Sequence, residues 1–107
     1  MIDWERVADL RAEVGEDGFA EIVSLFLDET DAVIARLAAG SADLDADLHF
    51  LKGSALNLGF HQLALRCQQT ERRGSGAQAA PDLPGLVSLY HESKAEFLVA
   101  MARLTAA

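Results

Sequence analysis

The chain has 107 residues, half of them hydrophobic, and carries a formal net charge of −8 at pH 7. That length suits one domain with its own core, expected over residues 1–107, and leaves no room for a separate catalytic domain. The acidic balance opposes nucleic-acid phosphates, the basic residues being scattered apart from Arg72-Arg73, and a single cysteine, Cys67, excludes an internal disulfide and a thiolate metal cluster.

Asp3 suits the N-cap of a short first helix in which Trp4, Val7, Leu10, Arg11 and Val14 repeat at helical spacing until Gly15 interrupts. A second helix is predicted from about Asp17 to Ala39. It places Phe19, Ile22, Val23, Phe26, Thr30, Val33, Ile34 and Leu37 on one side and leaves Glu21, Asp28, Glu29 and Asp31 for water, with Gly40 as its stop. Ser41 or Asp43 starts a third helix whose Leu44, Leu48, Leu51, Ala55 and Leu58 follow the spacing of a bundle seam, ended by Gly59. A fourth, from about His61 to Arg73, carries Leu63, Cys67 and Thr70 inward, with Cys67 as a small core hydrophobe. The run from Gly74 to Pro81 reads as a mobile loop. The last helix begins near Pro81 or Pro84, either being acceptable in a first turn, and runs to Ala102 or beyond. Its apolar face is Leu86, Val87, Tyr90, Phe97, Leu98, Met101 and Leu104.

No segment sustains the period-two alternation of a strand, so the fold class is all-α. Four amphipathic helices with short connections predict an up-down-up-down antiparallel four-helix bundle, the short additional N-terminal helix packing over one end. A monomer is the simplest expectation for such a bundle. No apolar run reaches the roughly 18 residues of a membrane span, and Met1-Ile2-Asp3-Trp4-Glu5 lacks the basic start of a signal peptide, so the expected address is cytoplasmic.

The run His49-Phe50-Leu51-Lys52-Gly53-Ser54-Ala55-Leu56-Asn57-Leu58-Gly59-Phe60 concentrates the chemistry. At about 100° per residue, His49 falls roughly 140° from the leucine stripe and faces outward, while Lys52, Gly53 and Asp45 lie within about 60° of it. On a helix, positions three and four residues on stand beside the first, so Lys52 reaches a group carried by His49 and Gly53 leaves the adjoining surface bare. A helix-interior glycine costs roughly 1 kcal/mol relative to alanine, which makes sense where something must approach closely. An ordinary imidazole, with a pKa of about 6.5, is mostly neutral and nucleophilic near neutral pH.

This run resembles the signature of histidine-containing phosphotransfer (HPt) domains, the relay modules of multistep two-component signalling. Phe26-Leu27-Asp28-Glu29-Thr30 looks like the family's preceding helix and Cys67 through Glu71 like the following one. The resemblance implies that His49 is phosphorylated, on Nε2. It also implies as partners the receiver domains of response regulators or hybrid histidine kinases, which supply both the aspartate and a magnesium ion. The chain itself shows no Gly-rich phosphate loop and no acidic cluster to hold magnesium, so no cofactor, no nucleotide site and no autokinase activity are expected of it. Asp45, one turn before His49, matches an acidic position of some relatives and is placed to orient the ring. Glu71 falls where several relatives carry glutamine, which leaves the role of its carboxylate open. Docking is expected to be apolar at its centre, with Leu56 near the His49 sector and Val7 or Leu10 completing the patch.

Plainer roles compete at several positions. Gly53 also suits close helix packing, Leu56 also fits beneath the first helix, Asn57 is either solvated or a partner contact, and Ser54 projects away from His49. His61 and His91 read as surface or capping residues with no metal-ligand spacing to His49. Against a phosphotransfer protein stands one competing class, a non-catalytic helical adaptor that docks a signalling partner through the same surface.

Overall fold

The computed structural model describes residues 2–75 and 82–106. Among them are four helices and no strand: α1 (Trp4–Ala39), α2 (Leu44–Leu58), α3 (His61–Ser75) and α4 (Leu83–Ala106). Helix α1 packs on α2 and α4, and α3 packs on the same two, so each helix has two neighbours around a shared core. No helix among the described residues is long and apolar enough to cross a membrane.

Within α1 two helical stretches meet in a kink at Gly15, where the sequence expects the interruption, its φ of 79° and ψ of 170° lying outside the helical region. Glycine takes that conformation without a Cβ penalty, so the chain turns there without an intervening loop. Arg11 donates from Nε to Glu16 Oε1 at 2.6 Å across the bend. Asp3 caps α1 by accepting from the Arg6 backbone N–H at 3.2 Å, and Asp43, rather than Ser41, caps α2 by accepting from that of Ala46 at 3.2 Å. Helix α4 starts from Asp82, whose carboxylate accepts the Gly85 N–H at 3.0 Å, so that Pro84 sits in the first turn. Gly74 and Ser75 belong to α3, whereas the rest of the expected loop, 76–81, lies outside the described residues, as does the side chain of Leu104.

The seam of α2 is buried as its spacing requires: Leu48, Leu51, Ala55 and Leu58 are closed to solvent, with Leu44 half-buried. They meet Val33, Ile34 and Leu37 of α1, Leu63 and Cys67 of α3, and Leu86, Tyr90 and Phe97 of α4 in one core. Phe60 stands in the α2–α3 connection, its ring 5.1 Å from that of Phe26 and 5.4 Å from that of Phe97. Trp4 stays partly exposed although its ring lies parallel to that of Phe97, and Val14 and Leu98, expected inward, are exposed. Trp4 and Leu98 stand at the edge of their helices' apolar stripes, and Val14 is the last residue before the kink at Gly15.

Asp31 is not left to water. It accepts hydrogen bonds from the Tyr90 hydroxyl and from Lys94 Nζ (2.9 Å to Oδ2), tying α1 to α4. Burial works against the carboxylate, but the Tyr90 and Lys94 hydrogen bonds and the charges of Lys94 and His91 outweigh it and hold its pKa below the usual aspartate value. Because the folded-state value is the lower one, this group stabilises the fold above the pKa of an unfolded aspartate and loses that contribution as pH falls through the folded value. Tyr90→Phe should therefore lower unfolding stability by about 1–2 kcal/mol at neutral pH and flatten its acid limb, read from urea midpoints between pH 3 and 7.

Gly59 closes α2 at φ 89°, and the N–H of Phe60 reaches back to the Ala55 carbonyl at 2.8 Å, a helix stop that requires the left-handed region. A Cβ there would stand 2.8 Å from the Asp3 carbonyl oxygen and 3.2 Å from Val7 Cγ2. Gly59→Ala should lower the urea-derived stability by about 1–3 kcal/mol, from backbone strain and displacement of the α1 N-terminus together.

Candidate functional site

Helix α2 has one face sealed in the core, and the opposite face carries His49. The side chain of His49 is 80% exposed, standing on a convex surface rather than in a pocket. Lys52 follows the buried Leu51 and so emerges at the border between α2 and α3, with three quarters of its side chain covered. Glu71 occupies the matching border of α3, one residue beyond the buried Thr70 and one turn beyond Cys67. Across that border Lys52 Nζ donates to Glu71 Oε2 at 2.9 Å. The other oxygen, Oε1, lies 3.9 Å from Nδ1 of His49.

Oε1 is buried and accepts no hydrogen bond among the described residues. An unsatisfied buried acceptor costs about 1–3 kcal/mol, and more when charged, so a modest turn of the exposed ring that brings Nδ1–H onto Oε1 is favoured. With Nδ1 facing Glu71, Nε2 is the nitrogen turned away from the helix pair. The Lys52 ammonium, expected to await a phosphoryl group, is thus already engaged. Beneath the pair, burial and the Glu71 charge push the Cys67 thiol up to about 12 despite Lys52, leaving it protonated and unreactive at neutral pH.

A Cβ built on Gly53 meets nothing within 4 Å, so this glycine does not serve close packing, and the surface beside His49 is bare. Asp45 is exposed, without a hydrogen bond to the ring; the carboxylate beside His49 comes from α3 instead. Leu56 is 54% exposed rather than covered by the N-terminal helix. With Lys52, His61, Ala64, Leu65 and Gln68 it lines a shallow groove of about 270 Å³ that runs from the ion pair along the α2–α3 border.

One expectation for the docking patch fails. Val7 and Leu10 are buried, at 3% and 5% exposure, because the N-terminal stretch of α1 lays its apolar side over the end of α2, and burying that side excludes offering it to a partner. Asn57 is exposed, and its side-chain oxygen accepts from Arg6 at 3.1 Å and its carbonyl from Arg6 Nε at 2.9 Å, clamping the same stretch. The exposed apolar contact near His49 comes instead from Leu65 on α3, which the sequence left unassigned. Its position one turn after His61, facing Leu56, emerges only once the register of α3 against α2 is known.

The family model of the Hpt domain matches residues 21–104. The chain belongs to the Hpt domain family. No curated protein and no solved structure matches it. Hpt domains are phosphotransfer intermediates of phosphorelays rather than enzymes in the ordinary sense, and they interact with receiver domains. The matched range contains His49, Lys52, Gly53, the groove and Glu71, whereas the stretch of α1 before the Gly15 bend precedes it. Among the described residues of this Hpt domain, no group of three or more His, Cys, Asp or Glu is placed to hold a metal ion.

The open space at Gly53 carries a stability consequence. Gly53→Ala should raise resistance to urea by about 1 kcal/mol, as expected for a helix-interior glycine with no packing role; a loss of stability would show that it is held against a neighbour after all.

Proposed function

We propose that this chain is a histidine phosphotransfer protein that relays a phosphoryl group between receiver-domain aspartates through a phosphohistidine at His49. The observation that carries this reading is an imidazole 80% exposed, its Nδ1 turned to a carboxylate and its flank bare at Gly53. Such a ring is reachable from outside by the phosphorylated face of another domain and is oriented from within. The scaffold that goes with it is an up-down-up-down antiparallel four-helix bundle with a short N-terminal helix over one end. The two-residue connection at Gly59-Phe60 and the pairwise packing of the helices support that arrangement.

In the forward step the Nε2 lone pair attacks phosphorus of the receiver's aspartyl phosphate. The P–O bond to the aspartate breaks as the N–P bond forms, and the aspartate leaves as a carboxylate. Glu71 Oε1, 3.9 Å from Nδ1, favours the tautomer whose proton lies on that nitrogen, which places the free lone pair on Nε2. Lys52 and Gly53 complete the site, the lysine as the nearest cation and the glycine as the clearance through which the phosphoryl oxygens and the receiver's surface pass. Charge on the transferring group is otherwise compensated by the receiver, together with its magnesium ion. Leu56 and Leu65 are the apolar contacts expected at the centre of docking, and Asp45 and His61 lie on its rim.

His49→Gln should leave helicity and the urea midpoint within about 0.5 kcal/mol of the parent, as for an exposed position, while abolishing the acid-labile 80 Da gain, the mass of one HPO₃ group at about one per chain. The mass is measured after incubation with an aspartyl-phosphorylated receiver. An adaptor that only docks would bind the receiver and gain no mass in either form, and transfer surviving in the variant would remove His49 from the reaction.

A further inference from the structure

The carboxylate of Glu71 is shared unequally. Oε2 is taken by Lys52 at 2.9 Å, while Oε1, buried and without a hydrogen bond among the described residues, looks toward Nδ1 of His49 at 3.9 Å. An amide at this position would also accept a hydrogen bond from Nδ1–H. Only a carboxylate also favours a positive charge on the ring, and that difference matters after phosphorylation rather than before it. A phosphorylated imidazole is a good leaving group when Nδ1 keeps its proton and a poor one when it does not, since imidazolate would then have to depart.

We propose that Glu71 is a positioning residue for the outgoing step: it holds the Nδ1 proton on phosphorylated His49, so that the ring leaves as neutral imidazole and transfer stays fast on the alkaline side of neutrality. The inference rests on the phosphorelay reading above. An aspartate oxygen of the accepting receiver forms its bond to phosphorus as the P–Nε2 bond breaks. The bonding pair returns to Nε2, and the proton on Nδ1 never leaves, so neutral histidine and an aspartyl phosphate are the products. The charged groups facing the ring are Glu71 from α3 and, on its own helix, Lys52 and Asp45. No ion pair joins His49 to α1 or α4 among the described residues. Lys52, on the other oxygen, tempers the carboxylate.

The test uses the full chain, phosphorylated at histidine with the small donor phosphoramidate. The ring is followed by ¹⁵N NMR from pH 6 to 9, and the phosphoryl group is then passed to an unphosphorylated receiver over the same range. In Glu71→Gln the phosphorylated ring should lose its proton about one pH unit lower, giving transfer about tenfold slower than the parent at the alkaline end and equal to it at the acid end. Lys52→Met, which leaves the carboxylate unpartnered, should move the ring titration in the opposite direction. Glu71→Asp, retaining the charge, should keep the parental profile shape even if it weakens the helix contact. Superimposable profiles for parent and Glu71→Gln, or a loss of rate by one factor at every pH, would overturn the proposal and leave the relay reading standing. A parent chain that takes up phosphate nowhere on His49 would overturn both.

Discussion

The turn at Gly59 is the constraint on which the rest of this Hpt domain depends. Its left-handed backbone ends α2, its carbonyl receives the N–H groups of both His61 and Asp3, and only Gly59 and Phe60 separate the two helices. With so short a connection α3 must run back along α2, and residues equally far from the turn stand at the same height. His49 precedes Gly59, and Glu71 follows His61, by about ten residues each, roughly 15 Å along both helices. One backbone conformation therefore decides that a carboxylate from a different helix arrives beside the imidazole.

The chemistry of the site follows from what that juxtaposition lacks. A convex surface gives the ring no walls to exclude water and no donors preorganised around a transition state, which are the usual sources of large rate enhancement. It offers orientation, a single cation already committed to a carboxylate, and clearance. Such a surface holds and presents a group while leaving the acceleration to whichever domain docks on it.

Much of the architecture was legible because each helix states its period and its ends: the leucine seam of α2, the caps at Asp3 and Asp43, the stop at Gly59. His49, Lys52 and Gly53 share one helix, so their common sector could be read from angular spacing alone. What depended on two helices could not. Projection alone did not separate Asp45, on the same helix as the ring, from Glu71 on the next, and the nearer neighbour in sequence proved the more distant in contact. Val7 and Leu10 show the same ambiguity, since an apolar stripe on an N-terminal helix reads identically whether it closes over its own core or greets a partner. Asp31 looked like one more solvated acid in an acidic chain until Tyr90 and Lys94 of α4 turned out to converge on it.

Beneath the ion pair lies the chain's one cysteine. Shut in among helices and keeping its proton, Cys67 presents no thiolate to peroxides, disulfides or electrophiles while the bundle is closed. Oxidants that would silence an exposed cysteine at the same spot find this one closed to them.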